Sequence, residues 1–272
     1  MTTKISPSIY LGLVCLSACS HPHPVAAPDP DRITQVSVIN ALMLGRYDGV
    51  MPIPELLRQG DFGVGTLDHL DGELIVLDGK AYQARGDGVV AEVGPDRSTP
   101  FAVVTTFDPD GEFPCPGVAG LADLDAHLDM KIPQRNGFVA IRVDGRFASI
   151  TVRSVRRQEP PYRPLAEVAE SQSVRTHRDI AGTLVGIRCP PWVGGLNVPG
   201  YHWHFLSEDR KLGGHVLDLG ALGGRVRYDV CRNWLVELDG SAGSDEADLG
   251  RDLGRELRRV ESSRGVAGDS KR

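Results

Sequence analysis

Three histidines fall within one fourteen-residue stretch, at His202, His204 and His215. The first two lie in Gly200-Tyr201-His202-Trp203-His204-Phe205-Leu206, an aromatic-rich run that reads as a β-strand. Side chains alternate faces along a strand, so His202 and His204 project from the same side. The polar segment Ser207-Glu208-Asp209-Arg210-Lys211 and the pair Gly213-Gly214 then reverse the chain. His215 opens an adjacent antiparallel strand and faces the other two. Three neutral imidazoles on one sheet face can hold a divalent cation and leave a fourth position open, the usual form of catalytic zinc. Zinc is therefore the expected cofactor. The i, i+2 pair sets these three apart from His69, His127 and His177, which are assigned as ordinary hydrogen-bonded or surface histidines.

Two other readings of the stretch stay open. His202-x-His204, three residues and Glu208 resemble the first metal motif of cupins, which would make Glu208 a ligand and the protein a metal oxygenase. Against this, the spacing from Glu208 to the next glycine is too short, and no second cupin motif follows. The other reading is a non-catalytic zinc-binding lipoprotein that uses the three imidazoles and no acid.

The elements around the histidines are short. With 32 glycines and 19 prolines in 272 residues, turns must be frequent and helices few. Apolar spacing predicts helices over residues 35–44, 54–60, 121–130, 165–174 and 249–260. Strands are expected over 74–77, 80–83, 89–93, 101–107, 182–189, 201–207, 215–219, 226–230 and 234–238. Asp78-Gly79 and Asp144-Gly145 both read as hairpin turns, the second between strands at 138–143 and 147–155. Runs of strands with isolated helices point to α+β rather than a regular βαβ alternation. The expected division is a mixed-sheet part over 33–155 and a second sheet part with the metal site and a tail helix over 156–263. Residues 264–272 are polar and read as a disordered tail.

The N-terminus reads as targeting rather than fold. Lys4 precedes a short apolar run at residues 9–16, too short to span a bilayer permanently. It ends in Leu16-Ser17-Ala18-Cys19, which looks like a bacterial lipobox with Cys19 as the acylated residue. Residues 1–19 are thus a lipoprotein signal peptide, and the Pro-rich residues 20–32 a semi-rigid tether. Acyl chains on Cys19 would contribute roughly 0.8 kcal/mol per buried CH₂, placing the protein on the cell envelope, facing the periplasm or exterior. Cys115, Cys189 and Cys231 allow one disulfide that spacing does not pair. The formal charge of −6 comes with no basic stripe, which excludes nucleic acid as a partner.

Several segments in order resemble the acetolactate decarboxylase family. They are Gly45-Arg46-Tyr47-Asp48-Gly49, Gly60-Asp61-Phe62-Gly63-Val64-Gly65-Thr66, Leu70-Asp71-Gly72-Glu73, Tyr82-Gln83 and Thr99-Pro100-Phe101-Ala102. Arg153-Ser154-Val155 with Gln158 and Pro161-Tyr162, Gly182-Thr183-Leu184-Val185-Gly186, and the histidine stretch through Asp218 complete the set. The likeness spans about residues 35–219. It implies two α/β parts, each on a mixed sheet, a homodimer, and conversion of 2-acetolactate to acetoin and carbon dioxide. It assigns His202, His204 and His215 as ligands, and Glu73 and Arg153 as catalytic groups. A C-terminal catalytic glutamate falls best on Glu261, with Glu256 as its competitor. Thr66 and Leu70 would line the substrate pocket with Arg153. An arginine is a poor proton donor at its ordinary pKa, so Arg153 is expected to orient the substrate carboxylate. The proton would come from Glu73, Glu261 or a water they position.

Overall fold

The computed structural model describes residue 29 and residues 31–262. The expected signal peptide with Cys19, most of the expected tether and the expected 264–272 tail lie outside those residues. In chain order the elements begin β1 (Arg32–Val36), α1 (Ile39–Met43), β2 (Met51–Pro52), α2 (Ile53–Gln59), β3 (Phe62–Thr66), β4 (Glu73–Leu77) and β5 (Lys80–Ala84). They continue with β6 (Val90–Glu92), β7 (Ser98–Thr99), β8 (Phe101–Thr105), β9 (Gly111–Val118), α3 (Leu121–Lys131), β10 (Phe138–Ser154) and α4 (Leu165–Val168). The last are β11 (Ser173–Cys189), β12 (Gly200–Ser207), β13 (Gly213–Leu219), β14 (Leu222–Cys231), β15 (Asn233–Glu237), α5 (Ala242–Asp245) and α6 (Gly254–Glu261).

Two large sheets and a few helices result, as the strand-rich sequence predicts. The first sheet has the order β15-β1-β8-β3-β4-β5-β6, and its β1/β15 pair is parallel. The second is antiparallel, in the order β11-β12-β13-β10-β14-β9. β11 also pairs with β10, so β10, β11, β12 and β13 close into a ring. The two sheets stack face to face. Val64, Ile75 and Val103 of the first meet Ala140, Val185, Ile187 and Leu206 of the second in the central core. On the far side of the first sheet, Ile53 and Leu56 of α2 pack on Leu74, Val76 and Val104. On the far side of the second, Leu124 and Leu128 of α3 pack on Val139, Trp203 and Phe205. Alternation along β12 thus sends Trp203 and Phe205 toward α3 and His202, His204 and Leu206 toward the opposing sheet.

Four local expectations are corrected. Residues 35–44 are not one helix: β1 takes Gln35 and Val36, Ser37 turns the chain at φ 59, and α1 keeps only Ile39–Met43. Periodicity could not reveal that β1 finds a parallel partner in β15. Asp144-Gly145 is no turn but lies inside the 17-residue β10. Gly145 sits between Gly182 and Gly224 on the flanking strands, and a Cβ there would come within 2.7 Å of the Gly223 carbonyl. Its role is close strand approach. By contrast, Asp78 (φ 54) and Gly79 (φ 74) do form the tight hairpin between β4 and β5. The helices expected at 165–174 and 249–260 shrink to α4, followed by a 3₁₀ turn and β11, and to α6. Finally, the sheets do not divide at residue 155, because β9 and β10 belong to the second and β15 joins the first.

Cys115, Cys189 and Cys231 are buried free thiols. No helix among the described residues is long and apolar enough to cross a membrane. One glycine carries a stability prediction. Gly186 on β11 faces Trp203 on β12, and a Cβ would come within 2.1 Å of the indole ring. Trp203 cannot yield freely, since it stacks on Tyr201 at 5.7 Å and donates its Nε1–H to Asp125 at 3.1 Å. Gly186→Ala is expected to cost about 1–3 kcal/mol, the usual range for overpacking. Urea unfolding should show a lower midpoint at unchanged slope. An unchanged midpoint would contradict the packing described.

Candidate active site

The histidine pattern resolves into one cluster on the inner face of the second sheet. His202 and His204 lie on β12, and His204 is the cross-strand partner of His215 on β13. Ring centroids are 5.0 Å apart for His202–His204 and His202–His215, and 5.5 Å for His204–His215. One nitrogen from each ring falls within 4.8 Å of the other two, close enough to share an ion. All three are buried, His204 completely.

Each ring also keeps one nitrogen buried without a hydrogen-bond partner: Nδ1 of His202 and His215, and Nε2 of His204. Such atoms are costly unless something else satisfies them. At His204 the tautomer follows from geometry. Nδ1 is 2.8 Å from the Leu74 carbonyl, which can only accept, so Nδ1 carries the proton and the Nε2 lone pair is free. A backbone carbonyl that orients a ligating imidazole in this way is a common feature of metal sites. Burial holds His202 below the ordinary histidine range. Burial, with neighbouring His202, holds His204 well below it, and burial with Arg153 does the same for His215. Neutral imidazole is the form a metal needs. The donor set therefore fits a divalent cation.

Arg153 on β10 pairs in register with His215, so the sheet itself delivers the guanidinium to the cluster. Its Nη1 is 3.4 Å from Glu73 Oε1, and its Nη2 is 3.5 Å from Glu261 Oε1. Glu73 comes from the start of β4 on the opposing sheet, with Oε2 3.6 Å from His204 Nε2. Glu261 is the last residue of α6, with Oε2 3.7 Å from His215 Nε2 and 3.9 Å from His202 Nε2. Burial pushes the Glu73 carboxyl up to about 7, against the pull of Arg153.

Thr66, Leu70, Glu73, Arg153, His202 and Glu261 line one small cavity of about 30 Å³. Leu70 holds a left-handed backbone (φ 53), next to His69 (φ 61). That strained turn is pinned by the bond from His69 N–H to the Tyr47 carbonyl and by His69 Nδ1 at 2.6 Å from the Tyr162 hydroxyl. Of the two C-terminal candidates it is Glu261, and not Glu256, that contacts the cluster. Glu208 is exposed in the turn after β12 and does not join the three histidines.

Sequence reasoning missed the residue that anchors the tail. Asn40 on α1 is buried, and its Nδ2 donates to the carbonyls of Leu249 (2.8 Å) and Arg251 (3.0 Å). It thereby fixes the segment leading into α6 and Glu261. Nothing in the local text marks it, because its partners lie at the other end of the chain. The role of the Leu74 carbonyl was equally invisible, since a backbone group carries no residue signature.

A small cavity lined by His202, Arg153, Glu73 and Glu261, with His204 and His215 packed beside His202, defines a small-molecule enzyme with a site able to hold a metal. The family model for alpha-acetolactate decarboxylase matches residues 33–251. The chain is 47% identical over 231 residues to the alpha-acetolactate decarboxylase of Methanosarcina mazei, covering 85% of this chain and 80% of that one. It is 42% identical over 240 residues to that of Methylococcus capsulatus, covering 88% and 92%. The crystal structure of the Bacillus subtilis alpha-acetolactate decarboxylase superposes with a TM-score of 0.82 at 36% identity, covering 85% of this chain and all of that one. The chain belongs to the alpha-acetolactate decarboxylase family. Glu261 lies beyond the matched residues, and the tertiary structure returns it to the site.

Proposed function

We propose that this protein decarboxylates 2-acetolactate to acetoin and carbon dioxide, with zinc held by His202, His204 and His215. The observation that carries the reading is the meeting of three buried imidazoles with Arg153, Glu73 and Glu261 in one cluster, in a chain of this family. Three nitrogen donors with room for further ligands suit zinc. When bound, the cation supplies Lewis-acid stabilisation of the charge that develops on the substrate's ketone oxygen as carbon dioxide leaves.

The chain's own groups do the rest. Arg153 binds the substrate carboxylate through its planar fork of N–H donors. Glu73 and Glu261, one at each terminal nitrogen, hold that plane in place. The carbon–carbon bond breaks, its electron pair stays on the substrate, and carbon dioxide departs. Glu73, whose buried carboxyl holds a proton more firmly than an exposed glutamate does, gives that proton to the carbon and regains one from water.

The full chain loaded with zinc should form acetoin from acetolactate in a colorimetric assay. Dialysis against a chelator should abolish the activity, and zinc should restore it. No acetoin from fully loaded protein would sink the reading and favour the non-catalytic zinc carrier.

The location and assembly belong to the same proposal: a homodimer tethered to the cell envelope by acyl chains on Cys19. Cys19→Ser should end incorporation of labelled fatty acid, and labelling that persists would refute the anchor. Sedimentation equilibrium of the residue 20–272 body should give twice the chain mass, and a monomer would refute the dimer.

A further inference from the structure

The small cavity lined by Glu73, Arg153 and His202 measures about 30 Å³. One residue of its wall, Glu261, also lines a second cavity of about 760 Å³, within the range of small-molecule sites. The side chain of Glu261 is 16% exposed, against 6% for Arg153 and 7% for Glu73. The buried site therefore meets the larger cavity at Glu261, the end of α6. Val198 and Pro199, which lead into β12, and Tyr201 within it also line the larger cavity.

The charges of this outer cavity come from five residues, Asp252, Arg255, Arg258, Arg259 and Glu261. Arg259 is 3.9 Å from Glu170, and Glu261 is offset by Arg153. Asp252 accepts the Gly254 N–H at 3.0 Å. Arg255 and Arg258 are exposed and have no ion-pair partner among the described residues. Two uncommitted guanidinium groups thus face a cavity that shares a wall with the site, on a chain whose overall charge of −6 repels anions.

We infer that the outer cavity is where the anionic substrate first docks, and that Arg255 and Arg258 capture its carboxylate before it passes Glu261 to reach Arg153. This rests on the reading above that the substrate is a small carboxylate. A local positive patch raises the concentration of an anion at its surface and steers its approach, an effect of 10–10³-fold that salt screens. Capture outside the reacting centre changes how substrate arrives and leaves the chemical step alone.

The test is steady-state kinetics of the zinc-loaded full chain with Arg255→Glu and with Arg258→Glu. The control is Arg178→Glu, an exposed reversal on β11 that changes net charge equally. At low salt, about 20 mM, each cavity variant should raise KM about tenfold and leave kcat within about twofold. At about 0.5 M salt the gap from wild type should close, because the screening length falls to a few ångströms. Arg178→Glu should follow wild type throughout. Calorimetric titration with lactate, a carboxylate that needs no turnover, should show the same ranking. If both cavity variants bind lactate and turn over like the control, the inference is overturned while wild-type turnover keeps the decarboxylase reading standing. If wild type forms no acetoin, that reading fails, and the lactate titration still decides whether the arginines capture carboxylates.

Discussion

His204→Ala is expected to lower turnover by at least about 10³-fold and to leave the purified protein without stoichiometric zinc. His204 is completely buried, its tautomer is set by the Leu74 carbonyl, and its Nε2 has no other partner. Removing it leaves two imidazoles, too few to hold zinc against water and buffer. Lewis-acid stabilisation is worth several kcal/mol of barrier, and each 1.4 kcal/mol or so is a factor of ten in rate. The substitution also opens a void and orphans a carbonyl, so circular dichroism must accompany the assay to show that the variant is folded. Elemental analysis for bound zinc then separates metal loss from unfolding. A folded variant that kept one zinc per chain and turned over within tenfold of wild type would remove the metal centre from the account.

Glu73→Gln carries the second large effect. Glutamine keeps the shape of the side chain and its place beside Arg153 but cannot deliver a proton to carbon. A general acid is worth about 10²–10⁴-fold, so kcat should fall by that much while bound zinc stays at one per chain. The pH profile gives an independent readout. Turnover needs the protonated carboxyl, so kcat should decline as pH rises through the Glu73 pKa. Burial sets that value at about 7 in the metal-free protein, and a nearby dication, by favouring the carboxylate, moves the decline lower. The limb should be absent from the residual activity of the variant.

Linkage supplies a further check on the metal-free protein. The folded-state pKa of Glu73 is raised, so the folded chain binds the extra proton between about 4.5 and 7. Its contribution is fully present below the unfolded value and is lost as pH rises through that window, by on the order of 3 kcal/mol. The glutamine variant cannot lose it, so it should be more stable than wild type at neutral pH and should lack that part of the pH dependence. A variant with wild-type kcat and an unchanged profile would remove Glu73 as the donor.

Both predictions concern residues that were legible before any coordinates, for different reasons. His202 and His204 face the same way because strand side chains repeat every two residues, and the polar segment after Ser207 makes the reversal that brings in His215. Gly213 and Gly214, expected in that turn, open β13 instead and pair with Leu206 and Phe205. Glu73 and Arg153 were found through segments resembling a known family, since neither spacing nor composition sets them apart from an ordinary hairpin glutamate and a surface arginine. Asp78-Gly79 was read correctly because its flanking strands pair with each other. Asp144-Gly145 has the same chemistry, yet its neighbours pair with β11 and β14 instead, and a dipeptide cannot report which strands will flank it.

The sequence by itself determined which face each strand residue presents, where tight reversals are allowed, and the donor chemistry of the three imidazoles. These are properties of a few consecutive residues and of the backbone's fixed geometry. Only the tertiary structure decided that β1 joins β15, that Asn40 ties down the tail, that Glu261 and not Glu256 meets Arg153, and that the Leu74 carbonyl orients His204. Each of these depends on a partner far away in the chain, and a contact between distant segments is set by the packing of whole sheets, which no local pattern encodes.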